Sequence, residues 1–206
     1  MNRLQDQHLI INLDRRKDRL DSARKEFAKL GIDEINRMPA IPNEIGMIGC
    51  GESHKRCLEI AIQNEWDYVL ICEDDVVFID PERIKRLLQK YLDFRFDVLL
   101  IGANVLRGKL VNEDLVRVEK SECFHAYIVR SHYYFKLLSN FREGLEKLKK
   151  DPNNMMFNID VFNQSLQKND KWFCFNPSLA TQQVGYSDNF KMIHDQSHRI
   201  LHHNLY

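Results

Sequence analysis

The stretch from Trp66 to Asp80, WDYVLICEDDVVFID, constrains this chain more than any other. An apolar run, Tyr68 to Cys72, meets three consecutive acids, Glu73, Asp74 and Asp75, and a second apolar run, Val76 to Ile79, comes after them. The first run has the length and β-branched content of a strand buried on both faces, which is the signature of a parallel sheet. Carboxylates at the end of such a strand repel one another and resist desolvation, a conflict that a cation among them resolves. They also fall where open α/β sheets bind ligands, outside the carboxyl ends of the strands. Glu73 and Asp75 are two apart and share one face of an extended backbone, with Asp74 pointing the other way or in the turn. Oxygen ligands in this pattern suit Mg²⁺ or Mn²⁺ better than zinc. The competing reading is an acidic loop that only caps the next element. The apolar runs on both sides favour the metal.

The rest of the first half alternates strands and helices. HLIINL (8–13) reads as a short strand, and Lys17 to Leu30 as an amphipathic helix closed by Gly31. Between them lie Asn12, Asp14, Arg15 and Arg16. A strand followed by an Arg-rich turn fits either an anion site at the helix start or a solvated first turn. A second strand is expected near Ile35 to Ile41. A loop rich in Pro and Gly comes next (Pro39, Pro42, Gly46, Gly49, Gly51), able to bring its backbone close to a ligand. Ser53 is expected to cap a helix from His54 to about Glu65. His54 could reach a ligand from that position, although a lone histidine is more often a core or surface residue. Asp80-Pro81 starts the next helix, and DVLLI (97–101) is another buried strand, so βαβ units and a parallel sheet are expected.

The second half is less regular. Residues 108–120 read as an exposed hairpin or loop, and FHAYIV (124–129) as a strand. Two helices are expected after Ser131, the second from Phe141 to Lys150. A further helix spans Ile159 to Gln167 with Asp160 at its start, and a short strand runs from Trp172 to Asn176. His194, His198 and His202 are four apart and would share a face if the tail were helical, but an exposed terminal segment is the simpler reading.

At 206 residues a single domain is expected. Residues 1–104 form its regular half and 105–206 a second half. Lys plus Arg and Asp plus Glu are 30 each, which argues against a protein that coats nucleic acid or an anionic membrane by bulk charge. No apolar run reaches membrane-spanning length, and no signal-peptide core is visible, so a cytoplasmic protein is expected. The five cysteines are odd in number and include no CxxC pair, in keeping with a reduced setting.

Taken together, these motifs resemble glycosyltransferase family 25, which includes lipopolysaccharide-type and procollagen galactosyltransferases. The matching pieces are INLDRRKDR (11–19), GMIGCGESH (46–54), YVLICEDDVVF (68–78), DVLLIG (97–102), HAYIVRSHYYFKLL (125–138), IDVF (159–162) and NPSLATQQVGYSD (176–188). The resemblance implies a GT-A-like fold with a mostly parallel central sheet flanked by helices. It implies a nucleotide-sugar donor, UDP-sugars first among them, and transfer of galactose or glucose with inversion to a glycan or glycoprotein. Mn²⁺ or Mg²⁺ would be held by Glu73 and Asp75. Asn12, Arg15, Arg19, Ser53, His54 and Asp74 would lie on the donor side, with residues 1–104 as the nucleotide-sugar half and 105–206 as the acceptor half. Gln183 and Ser187 belong to the late motif. An inverting transfer needs a base opposite the leaving group. Asp160 is the candidate, although an Asp that opens a helix is also a common N-cap. A metal-dependent nucleotidyl- or phosphoryl-transferase, and a sugar- or partner-binding homologue without turnover, are the alternatives. The absence of a Gly-rich phosphate loop lowers the first of these.

Overall fold

The computed structural model describes residues 2–187, 192–195 and 197–201. In chain order its elements are α1 (Asn2–Asp6), β1 (His8–Asn12), α2 (Lys17–Lys29), β2 (Arg37–Pro39), α3 (Gly46–Gln63), β3 (Tyr68–Glu73), β4 (Val76–Phe78), α4 (Pro81–Tyr91), β5 (Val98–Asn112) and β6 (Leu115–Arg130). They continue with α5 (Tyr134–Lys150), α6 (Ile159–Phe162), α7 (Gln164–Asn169), β7 (Trp172–Phe175), β8 (Ala180–Gln182), β9 (Gly185–Ser187), β10 (Met192–His194) and α8 (Ser197–Leu201).

The central sheet has the order β2-β1-β3-β6-β5-β7. All its strands run one way except β6, which is antiparallel to β3, β5 and β7. This is a mixed α/β fold with a mostly parallel sheet. Strand alternation divides its side chains between two layers. Ile10, Leu70 and Cys72 pack with Phe27 of α2 and Ile84, Leu87 and Leu88 of α4. Leu9, Ile11, Val69 and Ile71 pack with Cys57, Leu58 and Ala61 of α3 and Leu137, Leu138 and Phe141 of α5. Apolar cover on both faces is why β1 and β3 read as unbroken apolar runs.

Several expectations are corrected. The Gly-rich stretch before Ser53 is not a loop but the first turns of α3, and Ser53 lies inside that helix, not at its cap. Glycine normally disfavours a helix interior. Here it permits close packing, since a Cβ on Gly49 would lie 2.6 Å from the Ile41 carbonyl oxygen. Residues 108–120 are the strands and turn of a β5–β6 hairpin, and Leu115, Val116 and Val118 are fully buried. The two helices expected after Ser131 are one continuous helix, α5, entered through a single 3₁₀ turn. The stretch 159–167, expected as one helix, breaks at Asn163 into α6 and α7. The tail histidines share no helical face: His194 belongs to β10 and His198 to α8, while His202 lies outside the described residues.

The second half of the chain is tied to the acids through β8. It pairs antiparallel with β4, placing Gln182 opposite Val76. It also crosses β5 so closely that a Cβ on Gly102 would sit 1.9 Å from the Ala180 carbonyl oxygen. Gly102→Ala must therefore push two backbones apart. We expect a loss of about 1–3 kcal/mol, as in overpacked cores, or several degrees of melting temperature by calorimetry. An unchanged melting temperature would mean that β8 is not held against β5 in solution.

Candidate functional site

Glu73 is the last residue of β3, and Asp74 and Asp75 form the turn into β4. The three carboxylates face different partners. Asp74 turns toward the start of the chain, accepting from Asn12 Nδ2 at 2.7 Å and from Arg19 Nη1 at 3.1 Å. The same Arg19 nitrogen is 3.1 Å from Asp75 Oδ2, and its Nη2 donates to the Tyr186 carbonyl at 2.7 Å. Arg19 sits in the first turn of α2 and so carries its charge between two acids while tying them to β9. Glu73 meets His54 Nε2 at 3.4 Å through Oε1. Its Oε2 and Asp75 Oδ1 converge on one atom, Gln182 Nε2, 3.4 Å from each. This convergence tests the fit of a cation. Two carboxylate oxygens share a single donor position, and an all-oxygen pair suits a hard divalent ion.

The electrostatics derive from burial. Desolvation pushes the Asp75 carboxyl up to about 7, with Glu73 and Asp74 adding repulsion that Arg19 only partly offsets. Burial also raises Asp74 against the pull of Asn12 and Arg19. For Glu73 burial opposes ionisation, but the hydrogen bond from His54 and nearby positive charge outweigh it and hold the group below its ordinary value.

These acids open onto a cavity of about 470 Å³, lined among others by Arg15, Arg19, Cys50, His54, Glu73, Asp75, Asp160 and Gln183. Asp160 approaches from the α6 side. Asn158 occupies the N-cap position of α6, without a side-chain capping hydrogen bond, so Asp160 is not the N-cap. Its carboxylate accepts from the Val161 N–H at 2.9 Å and the Cys123 N–H at 3.3 Å. Burial nevertheless raises it above the usual carboxylate value. Cys123 adopts a left-handed backbone, φ 64°, where β6 bulges against β5 between the Gly102 and Asn104 pairings. Bulges of this kind re-aim groups beside sites, and this one turns a backbone N–H onto Asp160.

The other expected site residues divide. Asn12 is buried and holds Asp74, Arg16 and Arg37 in place rather than lining the cavity. Ser53 reaches the cavity edge, but its hydroxyl donates to the Gly49 carbonyl and accepts from the Ile41 N–H, so it fastens the 40–45 segment to α3. Gln183 lines the cavity, and its backbone N–H donates to the Asp75 carbonyl at 2.6 Å. Ser187 ends β9, and its side chain lies outside the described residues. Sequence reasoning missed Gln182, the neighbour of Gln183. The late motif marked the pair, but β8 ends at Gln182, whose side chain reaches Glu73 and Asp75, while Gln183 follows the strand and accepts from the Ser22 hydroxyl at 3.4 Å. Cys50 was also missed, although it stands four residues before His54.

Residues 44–155 match glycosyltransferase family 25, described as an LPS biosynthesis protein family. The chain belongs to this family. No curated protein matches it by sequence. Among solved structures it is similar to a glycosyltransferase involved in the glycosylation of the major capsid of PBCV-1. That match has 9% identity and a TM-score of 0.52, covering 88% of this chain and 94% of the other. Mannose-1-phosphate geranyltransferase from Thermus thermophilus is 11% identical with a TM-score of 0.49, over 82% of this chain and 73% of that one. The A197 protein from STIV is 15% identical with a TM-score of 0.43, over 96% and 94%. The first of these supports the likeness of fold. Among the described residues no helix is long and apolar enough to cross a membrane.

The raised Asp75 carboxyl carries a stability prediction for the metal-free protein. In the unfolded chain this acid loses its proton near the ordinary aspartate value of 3.8, whereas the folded protein keeps it to about 7. Folding therefore weakens as pH rises through that window, and the penalty is complete above it. Asp75→Asn removes the charge. In the presence of chelator, the variant should gain on the wild type as pH rises from about 4 to about 7, by several degrees at about 2–4 °C per kcal/mol. The two should converge at the acid end. A melting-temperature difference that does not change with pH would mean that Asp75 ionises normally.

Proposed function

We propose that this family 25 member transfers a hexose, galactose or glucose, from a nucleotide sugar to a hydroxyl of a glycan or glycoprotein, by single displacement with inversion, on a GT-A-like fold. UDP-sugars are the first donors to test. The observation that carries this reading is the convergence of Glu73 Oε2 and Asp75 Oδ1 on one point, in a cavity that also holds Asp160. Glu73 and Asp75 would hold Mn²⁺ or Mg²⁺. When bound, the cation supplies positive charge against the leaving diphosphate.

The protein's own groups supply the rest. Arg19 and Arg15 bring guanidinium groups to the diphosphate side, and charge-assisted hydrogen bonds to phosphate are the strong kind. Asn12 and Arg19 fix Asp74, which keeps the turn from collapsing as its neighbours exchange partners. On the acceptor side, Asp160 Oδ takes the proton of the attacking hydroxyl. Its burial favours this role, because a carboxylate with a raised pKa is a better base near neutral pH. The donor side is then built mainly from residues up to 104, and the acceptor side from those after it.

The test is a panel of UDP-sugars incubated with the protein and Mn²⁺, with and without acceptor sugars. Release of UDP that depends on the cation supports the reading. Release of pyrophosphate would make the chain a nucleotidyltransferase, and nucleotide binding without turnover would make it a binding protein. For the base, Asp160→Asn keeps only one of the two backbone hydrogen bonds that the carboxylate accepts. It should cost about 1 kcal/mol, a few degrees of melting temperature, with donor affinity near that of the wild type. Transfer should fall by roughly 10²–10⁴-fold, the usual loss of a general base. Near-normal transfer by the folded variant would remove Asp160 from that role.

A further inference from the structure

The cavity contains a second set of ligating atoms, of different chemistry, beside the acids. Cys50 Sγ, a ring nitrogen of His54 and a carboxylate oxygen of Glu73 all lie within 4.8 Å of one another. Cys50 and His54 are four residues apart in α3 and so share a face of the helix. All three line the cavity, so the set can be reached from solvent. We propose that Cys50, His54 and Glu73 form a site for a borderline transition-metal cation, Zn²⁺ above all, that shares Glu73 with the hard-cation pair.

Three arguments support it. The first is ligand type. A thiolate and an imidazole select zinc-like ions and discriminate against Mg²⁺ and Mn²⁺. The carboxylate is compatible with both, so Glu73 belongs to either set. The second is geometry. Zinc bonds of about 2.0–2.3 Å in a tetrahedron place ligand atoms roughly 3.3–3.8 Å apart. Atoms already within 4.8 Å need only small side-chain adjustments to reach that spacing. Three protein ligands leave a fourth position, which here faces the cavity, as in zinc sites that accept water or a ligand. The third is the support behind His54. Its Nδ1 is 2.8 Å from the Tyr127 hydroxyl, and its ring stacks on Tyr127, which stacks in turn on Phe124. Metal-binding histidines characteristically have the second ring nitrogen held by an outer partner. The Tyr127 hydroxyl can donate to Nδ1 while Nε2–H faces Glu73, or accept from Nδ1–H while the Nε2 lone pair binds metal. The site can therefore switch tautomer without losing a hydrogen bond at Nδ1. On metal binding the Cys50 thiol proton leaves to solvent and the thiolate becomes the ligand.

The consequence is mutual exclusion. A zinc ion held by Cys50, His54 and Glu73 withdraws Glu73 from the pair it forms with Asp75, so zinc should weaken Mn²⁺ binding. This consequence rests on the hard-cation role of Glu73 and Asp75 proposed above, whereas the zinc site itself does not.

The experiment uses the full chain, stripped with chelator and kept reduced, and titrates Co²⁺ as a spectroscopic stand-in for Zn²⁺. The expected result is one Co²⁺ with a near-ultraviolet thiolate-to-cobalt charge-transfer band, lost on adding Zn²⁺. Cys50→Ser should lose the band and bind Zn²⁺ more weakly by over about 10-fold, the lower end of what losing even an outer partner costs. Asp75→Asn should keep the band. No thiolate band in the folded wild type overturns the proposal, as does a band that survives in Cys50→Ser or disappears in folded Asp75→Asn. Mn²⁺ binding followed by paramagnetic resonance separates the two sites. Zn²⁺ should suppress it in the wild type and not in Cys50→Ser. A wild type that shows the cobalt band but binds no Mn²⁺ with nucleotide would refute the hard-cation reading and leave the zinc site standing.

Discussion

The guanidinium of Arg19 between Asp74 and Asp75 is the contact on which the site depends. Three carboxylates at the end of a buried strand would ordinarily repel one another and neutralise by taking up protons. Arg19 carries one positive charge to two of them and anchors them to the Tyr186 carbonyl. Asn12 fixes Asp74 from the opposite side, and Gln182 bridges Glu73 and Asp75. Even so, Asp75 stays raised to about 7, because burial and the charges of Glu73 and Asp74 together outweigh Arg19. Under the proposed function a cation would replace the proton on Asp75 near neutral pH, and Arg19 and Gln182 already hold the side chain in place.

The fold brings these groups together from distant parts of the chain by close backbone approach. Arg19 comes from the first turn of α2, Glu73 from the end of β3, and Gln182 from β8, which reaches β4 only because Gly102 lets Ala180 pass against β5. Asp160 arrives on a four-residue helix whose carboxylate is met by a backbone N–H from the bulge at Cys123. The approach of β8 depends on a glycine and that of Asp160 on a bulge, so Gly102 and Cys123 are sensitive to change although neither side chain takes part in the proposed chemistry.

Much of the parallel half was legible because burial on both faces leaves a direct imprint: β1, β3 and the start of β5 are unbroken apolar runs, and Asp80-Pro81 opens α4 as its chemistry predicts. The acids were legible because three charges cannot end a buried strand without a reason. The direction of β6 was not, since FHAYIV pairs equally well either way and only its neighbours decide. The start of α3 was hidden by glycines that usually break helices and here permit close packing. Gln182 was obscured by Gln183 beside it, because a two-residue motif does not say that the strand ends between them and that only the first reaches the acids. The role of Asn12 in positioning Asp74 needed the contact itself.

The central claim is that Glu73 and Asp75 make a cation-dependent nucleotide site. Calorimetric titration of UDP into the wild type and into a Glu73→Gln, Asp75→Asn double variant, each in chelator and in Mn²⁺, tests it most directly. The account predicts binding that strengthens by more than about tenfold with Mn²⁺ in the wild type, a change of about 1.4 kcal/mol, and no response to Mn²⁺ in the folded double variant. UDP binding that ignores Mn²⁺ in the wild type, or that responds to it equally in both proteins, would contradict the account.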